Sequence, residues 1–502
     1  MSVILAIDQG TTGTTVLAVD RGGNVVGRAY REIEQHYPRP GWVEHDPEEI
    51  WDSVRATIHT ALESGGLTVH DAAAIGITNQ RETVVVWDRE TGEPIHNAIV
   101  WQCRRTAPEC RALREAGHEA IIRQRSGLVI DPYFSGTKIA WLLENVPGAR
   151  GRAEAGELAA GTIDTWLIWK LTDGRVHATE PTNASRTQLY RIDEQRWDPD
   201  LCRILGVPEP VLPEVRPSGG IFGATATTAF GAEVTVAAAM GDQQAALYGQ
   251  GCWEPGLAKC TYGTGAFLLV QTGSALVPSG HGLLTTVACG PRGEAAYALE
   301  GSIFVAGAAV QWLRDELGLI ESAAETEELA GSLATNDGVY FVPAFVGLGA
   351  PHWMAEARGT IVGLTRGSSR QHLVRAALEA MAYATHDLIE AMAGDWGHPV
   401  RELRADGGAS ANDWLMQFQA DIAGVPVGRP AMVETTALGA ASLAGLICGL
   451  WSTPEELREL QKLERRFEPG LAAAERDRYL DGWRRAVRTA AAWAADAESD
   501  NR

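Results

Sequence analysis

A glycine/threonine turn between two short apolar runs occurs twice in this chain, half a sequence apart, and it limits the possible folds more than any other feature. The first copy, Asp8-Gln9-Gly10-Thr11-Thr12-Gly13-Thr14-Thr15, is flanked by VILAI and VLAV; the second, Tyr262-Gly263-Thr264-Gly265, by LAKC and AFLLV. Apolar run, tight turn, apolar run reads as a β-hairpin. Glycine permits the turn and a close approach to a ligand, and threonine adds hydroxyls beside exposed amides. One such loop is a common turn. Two of them imply a pair of phosphate-gripping jaws.

The surrounding pattern repeats as well. The first half runs VILAI, VLAVD, the turn RGGN and VVGRAY, then a helix over DPEEIWDSVRATIHTALESG with Asp46 as N-cap and Pro47 in its first turn, then the buried strand AAIGITNQ. RETVVVWDRETGEPI follows as a strand with a turn. In the second half KCTYGTGAFLLV and AAYALEG read as strands, and SIFVAGAAVQWLRDELG and HLVRAALEAMAYATHDLIEAM as helices. ELRADGGASANDWLMQFQADIAG reads as strand, glycine turn and helix, with Ser410 and Asp413 at capping-box spacing. A chain of 502 residues is too long for a single core. The expectation is therefore a duplicated α/β domain with mixed sheets and a cleft between the halves. The join falls near 245–257, where GQGCWEPG concentrates glycine and proline, dividing the chain into 1–248 and 249–502.

Composition removes several function classes. A net charge of -21 argues against nucleic acid as a partner. There is no G-x-x-x-x-G-K-[ST], no G-x-G-x-x-G after a strand and no H-E-x-x-H, so P-loop, Rossmann and zinc-hydrolase readings lack support. Seven cysteines without a C-x-x-C pair suit reduced thiols in a cytoplasmic protein. The N-terminus does not read as a signal peptide, and ALGAASLAGLICGLW is too short and glycine-rich for an integral membrane segment; it reads as a buried helix.

A three-point nucleotide grip remains: Gly10 to Gly13, Gly263 to Gly265, and Asp406-Gly407-Gly408, where Gly408 would let backbone pass close to a ribose or base and Asn412 would hydrogen-bond it. Asp8, at the mouth of the first loop, is placed to hold Mg²⁺, as phosphoryl transfer requires. Asp242, where an apolar strand turns into a helix in AAAMGDQQAALYG, suits a base that accepts a hydroxyl proton, and the helix N-terminus favours its ionised form. Arg81 and Glu82 in NQRET emerge from a buried strand as a donor and an acceptor for adjacent hydroxyls; a surface salt bridge is the plainer reading. Trp101 in WQCRR offers a flat wall to a carbon chain or simply fills core.

In order along the chain, DQGTT, GITNQRET, WQCRR, DPYFSGTK, GDQQAALYGQ, TYGTG, GLLTT, PAFVGLGAPHW, GLTRG and DGGASAND resemble the FGGY carbohydrate kinases, and NQRET with WQCRR resembles their glycerol-phosphorylating branch. The resemblance implies two actin-like ATPase (ribonuclease H-like) domains that close on MgATP in the cleft between them, acting as a cytoplasmic homodimer or homotetramer. It implies that Arg81, Glu82, Tyr133, Asp242 and Gln243 contact glycerol, with Trp101 and Phe267 flanking its carbon chain. Thr11, Thr12, Gly13, Thr264, Gly307, Gln311, Gly408 and Asn412 would line the nucleotide. Asp242 is the implied general base, and Asp8 and Asp242 the implied magnesium site. Two alternatives stay open: another sugar or polyol kinase of this family, and an actin-like nucleotide switch.

The chain departs from the resemblance in two places. The segment ATATTAFGAEVTV has Glu233 near the arginine with which some relatives bind fructose bisphosphate. It has Thr228-Ala229-Phe230-Gly231 where others carry a phosphorylated histidine, so both controls are expected to be absent. In the first jaw, Gly13 stands where many relatives have a serine, and Thr15 where they have an arginine. A guanidinium gives charge-assisted, bidentate phosphate contacts that a hydroxyl cannot. Thr15→Arg is therefore expected to lower the dissociation constants of ATP and ADP, measured by calorimetric titration; unchanged affinity would remove Thr15 as a determinant.

Overall fold

The computed structural model describes residues 2–432 and 434–499. Strands β1 (Val3–Gln9), β2 (Gly13–Asp20) and β3 (Val25–Glu32) open the first half, followed by α1 (Pro47–Ser64) and β4 (Ala72–Asn79). The half closes with β5 (Gly219–Ala224), β6 (Thr235–Gly241) and α2 (Asp242–Gly249). The sheet order is β5-β6-β4-β1-β2-β3; β6, β4 and β1 pair in parallel and the other pairs are antiparallel. Asp46 caps α1 by accepting from the Glu48 amide, with Pro47 in the first turn.

The second half supplies β7 (Leu257–Tyr262), β8 (Ala266–Gly273), β9 (Leu284–Cys289), β10 (Ala295–Ile303), α3 (Gly307–Asp315) and α4 (Arg370–Trp396). Then come β11 (Glu402–Asp406), α5 (Asp413–Ala423), β12 (Val427–Pro430), α6 (Thr435–Ile447) and β13 (Leu463–Phe467). Its sheet runs β9-β10-β8-β7-β11-β12-β13. The series β3-β2-β1-β4-β6 and β10-β8-β7-β11-β12 share one pattern: two antiparallel neighbours, then two parallel ones. Both glycine/threonine hairpins thus sit at the centre of equivalent sheets.

Strand alternation sets the layers. Val3, Leu5 and Ile7 of β1 pack with α1 and the buried helix Ile163–Leu171, whereas Ile4 and Ala6 pack with α6. The apolar stretch read as a buried helix is α6, which covers the sheet of the first half although it belongs to the second. It lies unusually close. A Cβ on Gly76 would fall 2.2 Å from the Ala440 carbonyl oxygen, one on Gly249 2.1 Å from that of Thr435, and one on Gly439 2.0 Å from that of Ala245. Glycine at these points lets β4, α2 and α6 touch backbone to backbone.

Two local expectations need correction, and one strand had no reading in the sequence. Ser302 and Ile303 end β10 as strand, and the helix starts only at Gly307, because Ala266 and Phe267 of β8 pair with Ile303 and Ser302. LLTTVAC forms β9, an edge strand. Ser410 does not cap α5: its hydroxyl donates to the Gly407 carbonyl within a 3₁₀ turn over Gly408–Ala411, and Asn412 accepts from the Leu415 amide as the N-cap. No helix among the described residues is long and apolar enough to cross a membrane.

The α6 seam has a direct test. Gly439→Ala forces the Ala245 backbone away and is expected to cost about 1–3 kcal/mol, as overpacking a tight core does. Urea unfolding of both proteins measures it, and an unchanged midpoint would mean that the seam yields freely.

Candidate active site

Arg81 and Glu82 follow β4 and are each only 2% exposed, so the surface salt-bridge reading is excluded. Two residues from elsewhere neutralise them. Arg81 Nη1 and Nη2 form a fork with Glu300 Oε2 and Oε1 at 2.6 and 3.0 Å. Arg186 Nε donates to Glu82 Oε1 at 2.8 Å, and its Nη2 to Glu300 Oε1 at 3.0 Å. Glu300 lies on β10 of the second half, so the quartet crosses between the halves. Burial pushes the Glu300 carboxyl up, but Arg186 and Arg81 outweigh it and hold it at about 2. Arg81 Nη2 also donates to the Tyr133 hydroxyl at 3.1 Å and Nη1 to Gln244 Oε1 at 3.3 Å, so both terminal nitrogens are committed.

The remaining nitrogen of Arg81 faces the catalytic candidate: Arg81 Nε lies 3.3 Å from Asp242 Oδ1 and 3.5 Å from Glu82 Oε1. Asp242 is the first residue of α2, with Gly241 as N-cap, and its Oδ1 accepts from the Gln243 amide at 2.7 Å. Burial raises its pKa, and Glu82 adds to that; Arg81, Lys259 and the Gln243 amide restrain the rise. Asp8 pairs with Thr15 on β2 and Thr78 on β4, at the same sheet edge as Asp242. Burial and then the Asp242 charge push it up to about 7. The Asp8 side chain makes no hydrogen bond or ion pair among the described residues. Asp8, raised by the neighbouring Asp242 charge and lacking a cationic partner of its own, forms with Asp242 a donor set that fits a hard divalent cation such as Mg²⁺.

Trp101 and Tyr133 meet edge to face at 5.6 Å, and Trp101 Nε1 donates to Thr11 Oγ1 at 2.8 Å, joining the acceptor patch to the first jaw. Gln243 points its amide oxygen at Lys259 Nζ. Phe267 lies half-buried on β8, opposite Thr261 and Ser302; no ring contact joins it to Trp101 or Tyr133 among the described residues.

In the first jaw Thr11 is half-buried and Thr12 exposed, while Gly13 is forced to be small: a Cβ there would sit 2.4 Å from the Arg31 carbonyl oxygen. The second jaw rests on the start of α3, where the Ala306 and Ala308 amides donate to the Thr264 carbonyl and the Gly307 amide to that of Gly263. A Cβ on Gly307 would meet the Gly263 oxygen at 2.6 Å; Thr264 and Gln311 are exposed. In the third turn the close approach belongs to Gly407, with φ +83° and its Cβ position 2.4 Å from the Tyr262 carbonyl oxygen. Gly408 has no protein atom within 4 Å of a Cβ, leaving an open cradle. Asn412 is partly spent on protein, capping α5 and donating to Thr326 Oγ1 at 3.1 Å.

Sequence reasoning missed Arg186, Glu300, Gln244, Lys138 and Lys259. Lys138 Nζ holds the Tyr133 and Phe134 carbonyls at 2.5 and 3.2 Å, fixing the acceptor wall from behind. A charge inside an apolar strand is the signal that marks Lys259 in LAKC and Glu300 in AAYALEG; Arg186 in TNASRTQLY carries none.

The N-terminal domain model of the FGGY family of carbohydrate kinases matches residues 3–249 and the C-terminal domain model residues 258–448. The chain is 56% identical to the glycerol kinase 2 of Thermotoga maritima over 98% of its length and 99% of that protein's. It is 58% identical to the glycerol kinase of Petrotoga mobilis, covering 98% of both. In structure it is similar to the Plasmodium falciparum glycerol kinase with ADP, at a TM-score of 0.93, 37% identity and 98% coverage of both chains. The xylulose kinase of Lactobacillus acidophilus shares the fold at a TM-score of 0.87 and 21% identity, covering 99% of both.

The quartet predicts a particular acid response. A carboxyl held at about 2 against an ordinary 4.5 adds stability that is fully present above pH 4.5 and drains away as pH falls toward 2. Glu300→Gln leaves two buried guanidiniums undercompensated and is expected to cost about 3–5 kcal/mol at neutral pH. It should also flatten the loss of stability between pH 4.5 and 2. Denaturant titrations across that range measure both, and parallel curves for the two proteins would refute the assignment.

Proposed function

Because the chain belongs to the FGGY family of carbohydrate kinases, we infer that it transfers the γ-phosphoryl group of ATP to a terminal hydroxyl of glycerol, giving sn-glycerol 3-phosphate and ADP. The observation that carries the reading is full-length identity with glycerol kinases, in a chain whose Arg81-Glu82 patch touches the Asp242 carboxylate. We assign the acceptor and phosphate contacts chiefly to 1–248 and the nucleotide to 249–502, with Glu300 reaching across.

In this reading Asp242 accepts the proton of the attacking hydroxyl. Burial makes it more basic than a surface aspartate, and Arg81 and Lys259 restrain that rise. Arg81 is oriented before the acceptor arrives, because Glu300, Tyr133 and Gln244 already hold its terminal nitrogens. That preorganisation lowers the entropic cost of aligning the acceptor. Glu82, Tyr133 and Gln243 complete the hydroxyl contacts, and Trp101 with Phe267 flanks the carbon chain. The two glycine/threonine loops, Gly307, Gln311, Gly408 and Asn412 line the nucleotide. Asp8 and Asp242 would hold Mg²⁺, which would supply charge neutralisation at the phosphates. Closure of the halves excludes water, the competing acceptor. The same reading carries a cytoplasmic homodimer or homotetramer.

Asp242→Asn is expected to lower turnover by roughly 10² to 10⁴ with an unchanged circular-dichroism spectrum. Near-normal turnover would remove Asp242 as the base. A polyol and pentulose panel tests the acceptor: glycerol should give the highest kcat/KM, and preference for xylulose would move the chain to another branch of the family.

A further inference from the structure

The first jaw and the acceptor patch are joined by a closed ring of polar contacts, and four of its members, Gln35, His45, Gln80 and Thr83, lie outside every residue assigned so far. Gln35 Nε2 donates to the Thr11 carbonyl at 2.8 Å. Gln35 Oε1 takes the proton of His45 Nε2 at 2.8 Å, which fixes the tautomer, because an amide oxygen only accepts. His45 Nδ1 then faces Gln80 Nε2 at 3.4 Å. Gln80 Oε1 accepts from Thr83 Oγ1 at 2.9 Å, and that hydroxyl accepts from the Trp101 amide at 3.2 Å. Trp101 Nε1 returns to Thr11 Oγ1 at 2.8 Å. His45 is fully buried, and burial followed by the nearby His36 lowers it to about 4, so the imidazole stays neutral and the ring keeps one direction at neutral pH.

Thr11 is thus gripped twice, at its carbonyl through Gln35 and at its hydroxyl through Trp101, and both paths end on Gln80 and Thr83 beside Arg81. A buried ring of this kind resists piecemeal movement: shifting Thr11 must break a contact or carry Trp101 and Gln35 with it. A nucleotide that orders the jaw therefore orders the wall of the polyol pocket, and the reverse holds by linkage.

We propose that Gln35 and His45 are positioning residues that couple nucleotide binding at the first jaw to polyol binding beside Trp101. The proposal rests on the functional reading above. Its test is calorimetric titration of ADP with and without saturating glycerol, on the full-length chain, alongside wild-type turnover of glycerol. Gln35→Glu still accepts from His45 but cannot donate to the Thr11 carbonyl, and Gln35→Leu loses both contacts; Gln35 is half-buried, so either change is tolerable. Glycerol is expected to tighten ADP binding to the wild type by at least about fivefold, the low end of ordinary coupling, and by less than about twofold in both variants. A residue that merely stabilised the fold would lower the melting temperature and leave that ratio alone. Equal ratios in wild type and variants, or no coupling in a wild type that turns over glycerol, overturn the proposal. A wild type that turns over no glycerol overturns the functional reading instead.

Discussion

The buried quartet of Arg81, Glu82, Arg186 and Glu300 is the constraint on which the active site depends. Two guanidiniums and two carboxylates, all at most 2% exposed, have lost their hydration, a cost of several kcal/mol per ion that mutual attraction repays only when every fork is matched. Here four nitrogens are matched, Arg81 spending two on Glu300 and Arg186 spanning Glu300 and Glu82, while Arg186 Nη1 has no hydrogen-bond partner among the described residues. An apolar quartet of similar volume would be no less stable. The charges instead fix direction: with Arg81 held by its terminal nitrogens, only Nε is left facing Asp242, and Glu82 keeps a carboxylate in the same corner.

Because Glu300 comes from the second half, the acceptor patch is complete only when the halves are registered to one another. Two further contacts set that register. Helix α6 crosses onto the first sheet at Gly76, Gly249 and Gly439 with no room for a methyl group. Lys259, fully buried on β7, reaches Gln243 next to Asp242. The Arg81-Glu82 patch, Asp242 and the second jaw are therefore parts of one packed unit, and the polar ring through Gln35 and His45 adds the first jaw to it.

What the sequence revealed follows from the range of the interactions. The apolar run of β1, the Asp46-Pro47 helix start and both glycine/threonine hairpins are local, and they appear where the pattern puts them. The start of α3 and the cap of α5 were misjudged because long-range pairing decided them: β8 claims Ser302 and Ile303, and Thr326 together with the Leu415 amide claims Asn412. Arg81, Glu82 and Asp242 stood out through motif and position, whereas Glu300 is 219 residues from Arg81, and nothing in the chain announces that contact. A buried charge acquires its meaning only from a partner that folding supplies.

The altered first jaw shows how such partners reshape a local reading. Gly13 looks like a lost hydroxyl, yet β3 presses the Arg31 carbonyl so close that any side chain must displace it. Thr15 looks like a lost phosphate contact, yet it stands directly opposite Asp8 across β1 and β2. Cross-strand neighbours on one face lie about 4.5–5.5 Å apart. An arginine there would pair with Asp8 and pull down a carboxyl that burial and Asp242 now raise to about 7. Threonine leaves Asp8 without a cation of the protein's own at the facing cross-strand position. On the proposed reading, a threonine at 15 would weaken the direct grip on phosphate but leave Asp8 open to a metal ion at the same corner, and the two effects would oppose one another in the affinity for the metal–nucleotide complex.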